Sequence, residues 1–247
     1  MKSALLGLCI CFVLLQGCSQ QKSGETSGTG TATNTPSATA PTAAGPTPEE
    51  LAKMTKSQRY FVESKAALEK HDTKGCFDLL GKAVDAAKEE KNYAAAIMCA
   101  ETQAKLKVSE KDHKAATVVL ENTLRDFDKP DLDMNARMRL EGPKALLASL
   151  YAIDGQADKS DALYKKSLEA AKAEKPINHQ RVAFWMRNYA DFYKFKKDSK
   201  NADLMQKNAD QELAKDPQTA GMAAAHAAAG IAPGGAPGGA APAKGGK

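Results

Sequence analysis

The residues best suited to nucleophilic, acid–base or metal chemistry in this chain are four histidines and five cysteines. A metal site needs such ligands at spacings that bring several of them together. His71, His113 and His179 fall at expected breaks between helices, and His226 lies in the C-terminal segment. None stands at ligand spacing with another His or a Cys. Cys9, Cys11 and Cys18 sit at the N-terminus, leaving only Cys76 and Cys99 in the body, and no CxxC pair occurs. That is neither a disulfide scaffold nor a zinc framework. Cys76 and Cys99 are expected near the starts of two successive antiparallel helices, farther apart than the ~7 Å between Cα atoms that a disulfide spans. Both are therefore expected as small buried core residues. No GxSxG, HExxH, Walker or dinucleotide pattern is present. Asp and Glu are abundant but interleaved with Lys on helical faces, where solvated pairing is their ordinary use. The expectation is a protein that is not an enzyme, with no catalytic residues, no metal and no cofactor.

Charge narrows the partners. The formal net charge is +5, and Lys and Glu alternate instead of forming blocks. A nucleic-acid surface would show a basic stripe with aromatic platforms, so no nucleic-acid partner is expected. Aromatics are only 6% of the chain, concentrated between Tyr151 and Phe195. One part of the fold is thus expected to be packed more richly than the rest.

Cys18 has a context of its own. Lys2 supplies a positive start, and Ala4 to Leu15 is an uncharged run of twelve residues. That falls short of the roughly 20 needed to span a bilayer as a helix and suits the apolar region of a signal peptide. Leu15-Gln16-Gly17-Cys18 follows. It resembles the lipobox of bacterial lipoproteins, with Gln16 departing from the small or apolar residue usual there. The resemblance implies a signal peptide over 1–17 and Cys18 as the mature N-terminus, carrying a thioether-linked diacylglycerol and an amide-linked acyl chain. Two or more chains are what stable anchoring requires, at about 0.8 kcal/mol per buried CH₂. Ser19, where some family members have Asp, is similar to lipoproteins sent on to an outer membrane. The implied location is the bacterial cell envelope, lipid-anchored and facing periplasm or exterior.

From Ser19 to Pro48 there is no Val, Ile, Leu, Met, Phe, Trp or Tyr. Such a segment cannot bury enough surface to offset ordering, so 18–47 reads as a disordered linker spanning roughly 30 Å on average. The segment 217–247, rich in Ala, Gly and Pro, reads as a disordered tail. Between them, 48–216 is expected to be all-α. Thr47-Pro48-Glu49-Glu50 sets an N-cap, a Pro at the first helical position and a Glu three residues after the cap. Helical spacing then runs to about Ala214, broken at HDTKG, SEKDH, DKPD, DGQAD, EKPIN and KKDS. No alternating strand pattern with hairpin turns occurs.

Two nearly identical stretches fix the arrangement. AAKEEK at Ala86–Lys91 recurs as AAKAEK at Ala170–Lys175, 84 residues later. Leu147-Ala148, Tyr151, Gly155, Ser160, Tyr164 and Ser167-Leu168 form one motif. Tyr189-Ala190, Tyr193, Ala202 and Ala209 form the next, 42 residues from Tyr151 to Tyr193. Ala104, Ala116, Leu120 and Leu124 fit more loosely, as do Cys76, Leu80, Ala83 and Val84. The pattern resembles the tetratricopeptide repeat (TPR), in which small residues let paired helices approach and aromatics fill the gap between hairpins. It implies a right-handed α-solenoid of about four TPR-like helix hairpins, and 84 residues is two periods of 42. That period exceeds the roughly 34 typical of the family, as in its kinesin-light-chain-like branch. Units one and two hold Ala67 and Lys107 where units three and four hold Tyr151 and Tyr193. Gly142-Pro143 is either a kink in the first helix of unit three or the start of that helix after a short extra turn from Asp131.

The resemblance places a partner-binding groove on the first helix of each unit. It comprises Gln58, Phe61 and Lys65, then Met98, Glu101 and Lys105, then Ser149, then Phe184, Arg187, Asp191 and Lys194. Apolar footholds among cations suit an extended peptide or a helix of another envelope protein. The family's carboxylate-clamp arrangement is not reproduced, so capture of an acidic C-terminus is not expected. Trp185 is either a groove anchor or packed against a neighbouring helix. The function so implied is an interaction scaffold or assembly factor. The alternative is an accessory or cell-wall-binding subunit that positions an envelope hydrolase.

Overall fold

Two threonines open the helical region. In the computed structural model, which describes residues 46–216, Thr47 caps α1 (Pro48–Lys53) and Thr55 caps α2 (Lys56–Glu69), each through a reciprocal capping box. The signal-peptide expectation for 1–17, Cys18 with most of the 18–47 linker, and the 217–247 tail lie outside the described residues. Thereafter come α3 (Thr73–Glu89), α4 (Tyr93–Ser109), α5 (His113–Phe127), α6 (Met134–Arg139), α7 (Glu141–Ile153), α8 (Ala157–Ala173), α9 (His179–Phe195) and α10 (Ser199–Ala214). No strand occurs among the described residues. The expected all-α class and the end at Ala214 are what the structure has. The break at Met54, which splits α1 from α2, is not among the expected ones.

One turn geometry recurs. At His71, Lys91, Lys111, Gly155 and Lys197 the backbone takes a positive φ of 56° to 77°. The amide after each of these residues bonds the carbonyl five residues back, from Asp72 to Ala67, Asn92 to Ala87, Asp112 to Lys107, Gln156 to Tyr151 and Asp198 to Tyr193. This double closure satisfies the orphan carbonyls of the ending helix. The residue that closes it starts the next helix: Asp72, Asn92, Asp112 and Asp198 each cap with a side-chain oxygen. Stop and start are thus compressed into three residues, and the chain reverses. The turns at 71, 111, 155 and 197 are 40, 44 and 42 residues apart. Their acceptor carbonyls, Ala67, Lys107, Tyr151 and Tyr193, are the four positions aligned above as the repeat's main aromatic site.

Packing follows this rhythm. Helices stack on their sequence neighbours: α2 on α3, α3 on α4, α4 on α5, α5 on α7, α7 on α8, α8 on α9 and α9 on α10. Small residues at the crossings permit close approach. Ser64, Ala104, Ala148 and Ala190 on one helix of each pair are buried, as are Cys76, Ala116, Ser160 and Ala202 on the other. Direction alternates at each reversal, so the four turns at 71, 111, 155 and 197 share one edge of the stack.

At the opposite edge the α3–α4 connection is the three-residue turn at Lys91, but those after α5 and α8 are longer. Between α5 and α7 the short α6 packs on α4 and α7, and Arg137 ties its entry by donating to the carbonyls of Leu132 at 2.7 Å and Pro130 at 2.8 Å. Pro143 is the third residue of α7, where its missing N–H costs nothing. Of the two readings of Gly142-Pro143, the helix start after an extra turn is the observed one. Gly142 matters for space: a Cβ there would come within 2.6 Å of a Glu101 carboxylate oxygen. At the first connection on this edge, Glu90 accepts from the Ser57 amide at 2.9 Å and its hydroxyl at 2.6 Å. These bonds hold the Glu90 carboxyl below its usual range.

Candidate functional site

The first helices of the pairs are α2, α4, α7 and α9. Of these, α4 touches α7, and α7 touches α9. The sequence-derived groove residues fall on all four helices, but their side chains are differently engaged.

On α2, Gln58 is spent on the cap, accepting from the Thr55 amide at 3.0 Å. Phe61 is half-buried against the cluster of Cys76, Leu80 and Cys99, with the Lys65 ammonium 4.6 Å from its ring centroid. On α4, Met98 is half-buried, and Glu101 and Lys105 pair with each other at 2.7 Å. On α7, the half-buried Ser149 is bonded to the Ala145 carbonyl and to Oη of Tyr164, each at 3.0 Å. Its hydroxyl therefore faces the α8 side of its own pair. On α9, Phe184 is 38% exposed and sits edge-on against Trp185 at 5.4 Å. Arg187 reaches Asp210 of α10 at 3.1 Å, and Asp191 and Lys194 pair at 2.8 Å. Apolar footholds are present at Phe61, Met98 and Phe184. Three of the four cations, Lys105, Arg187 and Lys194, are matched by carboxylates of the chain itself.

Trp185 is no anchor for a partner. It is fully buried, edge-to-face with Tyr164 at 6.3 Å, and its indole N–H donates to the Glu141 carboxylate. Around that carboxylate lies a buried ionic cluster that sequence reasoning missed. Arg181 donates to Glu141 and to Glu174, each at 2.9 Å, with side-chain exposures of 14%, 9% and 23% for the three residues in that order. Burial disfavours the Arg181 charge, yet the bonds to Glu141 and Glu174 outweigh it and raise its pKa. The cluster joins the start of α7, the end of α8 and the first turn of α9. Its only linear signal is the i,i+4 placement of Arg181 and Trp185 on one helix face; Glu141 lies 40 residues away.

The other titratable groups are structural. Cys76 and Cys99 are both buried and free, as expected, although Cys99 lies in the second turn of α4 and not at its start. Burial raises the Cys99 thiol to about 11, which keeps it from forming the reactive thiolate. Burial, the bond to Asp161 at 2.5 Å and the nearby Tyr193 raise the Tyr189 phenol. His113 and His179 begin helices, and His179 pairs through Nδ1 with Glu212 at 2.8 Å. His226 lies outside the described residues. Among the described residues there is no group of three His, Cys, Asp or Glu able to hold a metal, and no helix long and apolar enough to cross a membrane. A surface cavity of about 410 Å³ opens between Lys88, Tyr93, Arg125, Phe127 and Lys129. Lys88 there is already paired with Asp126 at 2.8 Å, so its charge is largely spent.

This geometry defines an all-α protein whose described helices pack in adjacent pairs. No protein-family model matches the chain, nor does any curated protein sequence or solved structure.

Proposed function

We propose that this chain is a lipid-anchored, TPR-like protein, a right-handed solenoid of four helix hairpins, and that it serves as an interaction scaffold or assembly factor at the bacterial cell envelope. The observation that carries the reading is the recurrence of one turn at 71, 111, 155 and 197, in register with small buried residues on both helices of each pair. Stacked hairpins of this kind present an extended face that a single peptide or helix can follow. The footholds on that face are Phe61, Met98 and Phe184. The self-paired cations around them favour a partner recognised chiefly by its apolar side chains, with charge setting its register. Attachment through Cys18 keeps the face near other envelope proteins.

Crosslinking in intact membranes tests the scaffold. A variant carrying Phe184→Ser, Lys65→Glu and Lys194→Glu changes only exposed groove side chains, and circular dichroism checks that its helix content is unchanged. Loss of one enriched partner supports the groove; unchanged partners would remove it. The anchor is tested separately by Cys18→Ala, which is expected to abolish labelling by a fatty-acid probe.

A further inference from the structure

Two phenylalanine rings are left in solvent on one helix. Phe184 and Phe195 are 38% and 57% exposed, and both lie on α9. At 3.6 residues per turn, eleven residues bring a side chain back to within about 20° of the same face, about 16 Å further along. Arg187, Asp191 and Lys194 fall on the same stripe and are exposed as well. Phe184, Arg187, Asp191 and Lys194 therefore follow one another at steps of three, four and three, the spacing of a seam along which two helices pair. The other side of α9 is spent: Trp185, Met186, Tyr189 and Phe192 are buried, and the helix packs on α7, α8 and α10.

Among the described helices longer than six residues, α9 alone exposes two large apolar side chains. Leu68, Tyr93, Val118, Ile153 and Leu204 are single tips on α2, α4, α5, α7 and α10. Met134 and Met138 share α6, but its six residues cannot supply a seam of three turns. The order of the seam residues selects the occupant. Laid against a copy of itself in the opposite direction, Phe184 meets the Lys194–Phe195 end, and the same register sets Arg187 opposite Asp191. Each contact then occurs twice, as two-fold symmetry requires of a self-complementary patch. Laid parallel, Arg187 would meet Arg187 and Asp191 would meet Asp191, so charge selects the antiparallel pairing. Within one chain, Arg187 bonds Asp210 and Asp191 bonds Lys194, but all four side chains are about half exposed or more. Exposed pairs of this kind hold weakly and exchange for intermolecular ones at little cost.

We propose that α9 is a self-association helix: two copies of this chain pair α9 against α9, antiparallel, about a two-fold axis level with Tyr189. Phe184 and Phe195 supply the apolar ends of the seam, and Arg187 and Asp191 set its direction and register. One seam of three turns belongs with the small interfaces, below about 1,200 Å². The pairing is therefore expected to be weak in dilute solution and to gain when two chains are held on one surface. It uses part of the face assigned to the scaffold's partner, and rests on that reading only for the gain from a shared membrane. Phe61 on α2 and Met98 on α4 lie outside the seam.

The test uses the purified full chain carrying Cys18→Ser, in reducing buffer, and reads the dissociation constant of self-association by sedimentation equilibrium. Every variant keeps the same apolar N-terminal run, so its contribution is common to all. Asp191→Arg and Arg187→Asp are each expected to weaken association at least about tenfold, because each sets like charges opposite one another twice. Their net-charge changes have opposite signs, so a general repulsion between chains would move the two variants in opposite directions. An equimolar mixture of the two is expected to regain the parent's association, since each chain then offers the charge that the other lacks. Phe184→Ser together with Phe195→Ser is expected to weaken association as much as either charge variant. Lys65→Glu, on α2, is expected to leave it within about twofold. All these side chains are exposed, so the variants are expected to melt with their parent, which separates lost pairing from lost fold. A parent that stays monomeric up to about 1 mM overturns the proposal. So do single charge variants that associate like the parent, a mixture no tighter than its components, and an equal fall in Lys65→Glu. Only this chain is present in the assay, so its outcome does not depend on whether an envelope partner exists.

Discussion

The two halves of the helical stack solve one packing problem with different chemistry. Around α3, α4 and α5 the core is aliphatic and small: Leu80, Ala83, Ile97, Cys99, Ala104 and Leu120 are all essentially inaccessible. Around α8 and α9 it is aromatic, with Tyr164, Trp185, Tyr189 and Phe192 in mutual contact at 5.3 to 6.3 Å between ring centres. Buried tyrosine and tryptophan bring polar atoms that need partners. Hence the second half also holds Ser149, Asp161 and the Glu141–Arg181 pair, whereas in the first half the buried Gln103 donates to the Phe77 carbonyl and the Ser57–Glu90 pair sits at the edge. The difference teaches where each half is vulnerable. An aliphatic core loses stability in proportion to the volume removed. A polar-braced aromatic core fails when one partner of a pair is taken away.

Two perturbations bear most directly on this contrast. The largest effect is expected from Arg181→Ala, which leaves Glu141 buried without its cation and costs about 3–5 kcal/mol. Trp185→Phe keeps most of the ring but removes the indole donor, at about 1–3 kcal/mol. Chemical denaturation reads both, and values under about 1 kcal/mol for both would mean that the ionic cluster does not brace the aromatic half.

Acid gives a smaller effect. Hydrogen bonds from Lys215 and His179 hold the Glu212 carboxyl below its ordinary value of 4.5. A depressed carboxyl contributes stability that is complete above that value and is lost as pH falls below it. The gap in melting temperature between the unaltered chain and Glu212→Gln is therefore expected to be constant near neutrality and to shrink below about pH 4.5. A gap that widened there would reverse the assignment.

The smallest gains are expected at the turns. Glycine takes a positive φ without the cost that lysine bears. Lys91→Gly and Lys111→Gly are each expected to add roughly 0.5–1 kcal/mol, while Gly155→Ala subtracts a similar amount. Thermal melting of the three variants checks the signs, and opposite signs would mean that the αL conformation does not limit these turns.

Local chemistry was the legible part of this molecule. Every expected break at HDTKG, SEKDH, DKPD, DGQAD, EKPIN and KKDS coincides with an observed helix boundary, because caps and turn residues act within a few positions. The 42-residue spacing of Tyr151 and Tyr193 likewise marks equivalent turns. The break at Met54 escaped notice because α1 is only six residues long, too short to show a period. The Glu141–Arg181 pair was illegible for a different reason: its partners lie on separate helices, and nothing in either neighbourhood names the other. The proposed groove positions were legible, but not which of their side chains are free. Whether Ser149 or Arg187 is free depends on Tyr164 and Asp210, residues of adjacent helices that spacing along one helix does not reveal.

The two hydrogen bonds from Ser57 to Glu90 have a mechanical consequence. Because α1 and α2 each carry their own threonine cap, tension drawn through the N-terminal side can peel α1 without disturbing the start of α2. The load then meets the Ser57–Glu90 clamp, with Lys56 on Glu89 at 3.4 Å beside it, and passes into the end of α3. The first six-residue helix acts as a fuse, extending before the stacked pairs feel the pull.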